Sequence, residues 1–283
     1  MSTSINTQDK KRSESSVFYL LISFLLVFST LLLFFTSGLL SSAPAALQYS
    51  PSTTLHNSTT TPPSETEKPQ LECRGIIFID PGHGFRNING TLDRGAGHNT
   101  YFYRYSGGMF EYQLVMIISR KIAEVLEARG FTVLMTRDGG MDTMMSRSQR
   151  IAMAYNAGSI LFLSVHANAF AHSNPAVARS AQGARIYFNR NNPHGFGEQN
   201  YLFSRYLAAA IDRTPGASTR QVSLFNNRNF TELQASMPSS LIEVLFLTNP
   251  QDAAKAATPA WQYLMARSLA YGIEYFVESR LSS

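Results

Sequence analysis

The stretch 76-IIFIDPGHG-84 sets the reading of this chain. Ile76, Ile77, Phe78 and Ile79 run without polar alternation, the pattern of a strand buried on both faces. The run stops at Asp80, Pro81 and Gly82, turn residues that each have a separate backbone reason to be there. His83 follows, held between two glycines. In open α/β sheets, ligands gather at the carboxyl ends of strands, and this is where His83 falls. Asp, Pro and Gly serve ordinary turns too. The stretch alone leaves His83 open between a hydrogen-bonded loop residue and a functional one.

Working outward, strands and helices alternate from Cys73 onward. "MFEYQLVMIISRKIAEVLEARG" (109–130) is a helix, with Phe110, Leu114, Ile117, Ile118, Ile122, Val125 and Leu126 on one face at helical spacing. Gly130 is its expected C-terminal stop. "FTVLMT" (131–136) is a strand and "MSRSQRIAMAYNAG" (145–158) a short helix. "SILFLSVHAN" (159–168) is a buried strand that carries His166 near its end. "GARIYF" (183–188) and "SSLIEVLFLT" (239–248) are strands; "NYLFSRYLAAAID" (200–212) and "AWQYLMARSLAYGIEYFVESR" (260–280) are helices. The alternation predicts an α/β fold with a mainly parallel central sheet flanked by helices on both faces.

Upstream the character changes. Residues 17–40, "VFYLLISFLLVFSTLLLFFTSGLL", carry no charge and are long enough to cross a bilayer, which takes roughly 20 apolar residues. Lys10, Lys11 and Arg12 precede them, so 1–16 is expected to be a cytoplasmic tail, with the chain beyond Leu40 outside the cytoplasm. The apolar run exceeds the roughly 7–15 residues of a signal-peptide core, which favours an uncleaved transmembrane anchor. Residues 41–72 are rich in Ser, Thr and Pro and have too few large apolar side chains to build a core; they read as a disordered linker. The folded domain is then 73–283.

A net charge of +5 favours an anionic partner such as a phospholipid surface or an acidic wall polymer. No basic run or aromatic-interleaved patch supports nucleic acid. The single cysteine, Cys73, excludes an intramolecular disulfide and an all-cysteine metal site. A metal site here needs His and carboxylate.

Four side chains fit that requirement. His83 and His166 lie at strand ends, Glu111 in the first turn of the first long helix, and Glu243 inside an apolar strand. Glu111 could simply answer the helix dipole. Glu243, between Ile242 and Val244, must reach water at a sheet edge or find a partner, because burying it unpaired is costly. Together, two histidines and one glutamate make three zinc ligands with a fourth position open, and the other glutamate can serve as general base. Spacing alone leaves His98 and His172 open as ligands.

These motifs resemble the zinc-dependent N-acetylmuramoyl-L-alanine amidases of bacterial cell walls, from about Gly75 to the last helix. The resemblance implies Zn2+ held by His83, Glu111 and His166, with Glu243 as the catalytic base. It implies a peptidoglycan substrate cut between N-acetylmuramic acid and L-alanine, in cell-wall remodelling or daughter-cell separation. The expected location is the cell envelope, anchored in the inner membrane by a single span, with the domain in the periplasm or another extracytoplasmic space. A protein activator fits such a role; nucleic acid does not. The competing classes are an inactive peptidoglycan-binding scaffold and a zinc peptidase acting within the stem peptide. Asp80 and Asn168 are expected to orient ligands, and Arg137 and Arg150 to be structural. Phe85 and Leu245 stand where the family usually has glycine, and Phe85 is expected to narrow the approach to the metal. The segments "AHSNPAVARSAQG" and "NRNNPHGFGEQ" predict no long inhibitory helix between His166 and Glu243. No wall-binding repeats are visible.

Overall fold

Six strands form one sheet in the order β2-β1-β3-β6-β4-β5: β1 (Ile76–Pro81), β2 (Thr132–Met135), β3 (Leu161–Asn168), β4 (Arg185–Phe188), β5 (Ser223–Asn226) and β6 (Ser239–Phe246). The structure is a computed structural model and describes residues 73–139 and 143–281. The expected tail, anchor and linker (1–16, 17–40 and 41–72) lie outside the described residues. Among those described, no helix is long and apolar enough to cross a membrane. All strand pairs are parallel except β4 with β6, so the expected mainly parallel sheet is found.

The helices are α1 (Tyr101–Tyr105), α2 (Glu111–Glu127), α3 (Arg147–Asn156), α4 (Pro175–Ser180), α5 (Gly197–Asp212), α6 (Pro250–Ala256) and α7 (Pro259–Leu281). Alternate residues of the central strands divide the core, as the two-residue period of a strand requires. Ile77, Ile79, Leu161, Leu163 and Val165 pack with α2, α5 and α7 on one face. Phe78 and Phe162 face the other way, ring on ring at 6.2 Å, under Ala154 of α3 and Met237. Both faces are covered, one by three long helices and the other by α3 and a 3-10 turn at Thr231–Gln234. Since β1 and β3 are buried on both sides, Ile76–Ile79 and Leu161–Val165 read as apolar runs, the second interrupted by the buried Ser164.

Four short elements go beyond the sequence expectation. β5 is a four-residue edge strand with mostly exposed side chains and so has no apolar signature. Helices α1, α4 and α6 are too short for a helical period and are defined by their caps. Thr100 Oγ1 accepts from Tyr103 N, Asn174 Oδ1 from Ala176 N, and Asn249 Oδ1 from Gln251 N and Asp252 N. Helix α4 falls within "AHSNPAVARSAQG", spans six residues and buries none of its side chains.

Candidate metal centre

At the carboxyl ends of β1 and β3 the chain brings three of the four nominated side chains together. One donor atom from each of His83, Glu111 and His166 lies within 4.8 Å of the others. Glu111 is at the centre. Its Oε1 is 3.1 Å from His83 Nε2 and 3.3 Å from His166 Nδ1, and accepts from Ala167 N at 3.1 Å. Its Oε2 accepts from Ala96 N at 2.8 Å. The fourth residue, Glu243, is the direct register partner of His166 across the parallel β3–β6 pair. Neighbouring strands lie about 5 Å apart, so the two side chains share one face of the sheet.

The local backbone explains the PGHG turn. His83 has φ 58, the one non-glycine residue with positive φ among those described. That conformation costs an L-residue roughly 1–2 kcal/mol, and it turns the ring back over the strand end. A Cβ on Gly82 would lie 2.3 Å from His166 Cε1, so only glycine lets the second imidazole pack against this turn. At Gly95, with φ +63, a Cβ would meet Glu111 Oε2 at 2.5 Å and His83 Cδ2 at 2.7 Å. The turn and the loop carrying Gly95 thus close around the cluster.

Asp93 supplies what the sequence reading assigned to Asp80 and Asn168. Its Oδ2 lies 2.9 Å from His83 Nδ1, leaving Nε2 directed at Glu111. Its Oδ1 accepts from Gly95 N at 3.1 Å, and its backbone pairs with Gly84 and Phe85. Asp80, in contrast, is fully buried beneath the site and accepts from Thr136 Oγ1 (2.7 Å) and Ser164 Oγ (2.9 Å), with Arg150 Nη1 at 3.5 Å. It ties strands together and touches neither histidine. Asn168 acts through its carbonyl, which accepts from Leu247 N at 2.7 Å. Asp93 lies ten residues past His83 in an irregular loop, so no periodicity pointed to it.

Other expectations sort themselves here. Arg137 is buried and donates to the carbonyls of Pro81, Gly82 and Tyr112, so it braces the turn, and Arg150 lies over the Phe85 ring at 4.4 Å. Phe85 is only 2% exposed beneath that guanidinium and points into the protein, not into the approach to the cluster. Leu245 is buried in the main core, where a bulge between His166/Asn168 and Glu243/Phe246 directs it. His98 packs edge-on against Tyr103 and Phe110, and His172 Nδ1 accepts from Asn174 N. Neither joins the cluster. Both line a groove of about 520 Å3, with Gly95, Phe110, Phe170 and Thr248.

Electrostatics separate the two glutamates. Burial works against ionised Glu111, yet hydrogen bonds from His166 and His83 outweigh it and hold the carboxyl well below its usual range. Burial also works against a charged His83; hydrogen bonds to Asp93 and Glu111 overcome this and hold it at about 10. For Glu243, burial dominates and raises the carboxyl to about 7, with the charge of His166 pulling the other way. Among the buried polar side-chain atoms of the described residues that have no hydrogen-bond partner, two belong to this site, His166 Nε2 and Glu243 Oε2. A buried group left in that state calls for a ligand, a water or a catalytic role.

The N-acetylmuramoyl-L-alanine amidase family matches residues 77–275. The chain belongs to this family. The amidase is 27% identical over 252 residues to N-acetylmuramoyl-L-alanine amidase AmiA of Escherichia coli, covering 74% of this chain and 80% of that one. Its fold is similar to that of AmiC2 of Nostoc punctiforme, with a TM-score of 0.58 at 23% identity over 73% of this chain and 99% of that one. It is also similar to the CwlD amidase of Clostridioides difficile, solved in complex with the GerS lipoprotein (TM-score 0.56, 20% identity, 72% and 99% covered). The amidase is thus a cell-wall hydrolase by family, on the α/β frame that its strand pattern predicts.

Proposed function

We propose that the protein uses zinc to hydrolyse the amide between the lactyl group of N-acetylmuramic acid and L-alanine of the peptidoglycan stem peptide. His83, Glu111 and His166 hold the metal and Glu243 moves the proton. The support is one arrangement: two imidazoles and a carboxylate converging at the strand ends, with a second, near-neutral carboxyl paired in register to one of them. Two nitrogen donors and one oxygen donor suit zinc with an open position, and the unpartnered buried Nε2 of His166 is the kind of atom a metal satisfies. Zinc bound there supplies a Lewis acid for a carbonyl oxygen and lowers the pKa of water to about 7.

The remaining work falls to the chain. Asp93 fixes the ring of His83, a role that hydrogen-bonded partners of metal-binding histidines commonly have. Glu111 contributes the negative charge and is kept ionised by its partners. Glu243, buried and raised to about 7, takes a proton from the attacking water and returns it to the leaving nitrogen. The products are a glycan strand freed of that stem and a peptide with a free N-terminal alanine. The domain (73–283) works outside the cytoplasm, tethered by the 17–40 span and the 41–72 linker, where a protein activator can reach it.

Mass spectrometry of fragments from purified wall, digested with and without a chelator, tests the reading. Intact stem peptides starting at alanine are expected, lost on chelation and restored by zinc. Shortened peptides would make the protein a peptidase; no release would leave the scaffold reading. His83→Ala and His166→Ala should lose bound metal as well as release.

A further inference from the structure

Arg185 is half-buried on β4, directly opposite Glu243 in the antiparallel β4–β6 pair. The bulge in β6 puts Phe246 on the same face as Glu243, since His166 and Asn168 are their respective partners on β3. The Arg185 guanidinium lies over the Phe246 ring at 4.5 Å and over Phe225 of β5 at 5.4 Å. Tyr187 stacks on Phe225 at 5.3 Å and so steadies that ring. Among the described residues, Arg185 has no ion pair and no side-chain hydrogen bond, even with Glu243 beside it. Rings hold the cation by its face and leave the planar N–H fork, which is matched to a carboxylate, without an acceptor.

From this we infer that Arg185 is a substrate-binding residue that takes a carboxylate of the stem peptide, so that the peptide leaves the scissile bond along β4 toward β5. The inference rests on the amidase reading above. Of the two halves of that substrate, the glycan is neutral once its lactyl carboxyl is tied up as an amide. The peptide ends in a carboxylate. A fork one strand away from Glu243 can therefore tell the halves apart, and it sets which stems are accepted.

The test uses the full-length, zinc-supplemented protein and two synthetic muramoyl-L-alanyl dipeptides, one with free carboxylates and one with carboxamides. The wild type should prefer the free acid. Arg185→Ala should lose roughly 10–100-fold in kcat/KM on the free acid, mostly through KM, and less than about threefold on the carboxamide. Arg185→Lys keeps the charge without the bidentate fork and should fall between them; its thermal midpoint checks that the fold is intact. Equal losses on both substrates, or losses confined to kcat, overturn the assignment and leave the amidase reading standing. Failure of the wild type to release alanyl peptide from either substrate overturns both.

Discussion

Glu243 and His166 face each other across the β3–β6 pair, in the last regular pair before the register shifts. The glutamate therefore stands beside the cluster without joining it, and its Oε2 is buried and unpartnered. This geometry sets it apart from the three candidate ligands, and under the proposed function it is the group that moves the proton.

Glu243→Gln keeps the shape and removes the base. Turnover should fall by about 10²–10⁴-fold while metal content, read by atomic absorption, stays at the wild-type level. A variant that loses its metal in proportion to its activity would make Glu243 a ligand.

Asp93→Asn should leave His83 with a weaker and less oriented partner. Zinc affinity, measured by competition with a chromophoric chelator, should drop about 10–100-fold. The thermal midpoint of the metal-free protein should fall much less than after Asp80→Asn, because Asp93 is about half exposed whereas Asp80 is buried among three hydrogen-bonding partners. Unchanged affinity would remove Asp93 from the site.

In the metal-free protein His83 is held at about 10, above its ordinary 6.5. A raised histidine contributes stability that is complete below about pH 6.5 and lost as the pH climbs through about 10. Chelated protein should therefore melt lower at pH 10 than at pH 7. The same proton must leave before metal binds, so affinity should rise about tenfold per unit from pH 7 to 9. Calorimetry in buffers of different ionisation enthalpy should find at least one proton released per metal at pH 7.5. No proton release would mean that His83 is already neutral.

Gly82→Ala places a methyl 2.3 Å from His166 Cε1. Crowding of this kind costs about 1–3 kcal/mol, and the easiest relief is to swing the imidazole away. The variant should fold with a lowered midpoint and bind zinc poorly. Tight binding with an unchanged midpoint would show that the turn has slack.

Much of this was legible in the residues. The apolar runs at Ile76–Ile79 and Leu161–Val165, the second interrupted by Ser164, read as strands covered on both faces, and helical spacing from Phe110 to Leu126 required a long amphipathic helix. A carboxylate inside LIEVLFL announced Glu243 because a buried charge needs a reason. By contrast, Asp93, Arg185, the edge strand β5 and the three capped short helices had no such signal. Each depends on partners far away in sequence or on a single hydrogen bond at a helix start.

The sequence by itself determined which segments are strands and helices, and which four side chains had to be accounted for, because periodicity and the cost of burial act locally on any chain. Tertiary structure alone decided that His83, Glu111 and His166 meet at one point, that Asp93 and not Asp80 holds the first of them, and that Arg185 faces Glu243 with an open fork. The reason is physical: strand order, a one-residue bulge and a left-handed turn aim these groups, and none of the three leaves a periodic trace in the residues that obey it.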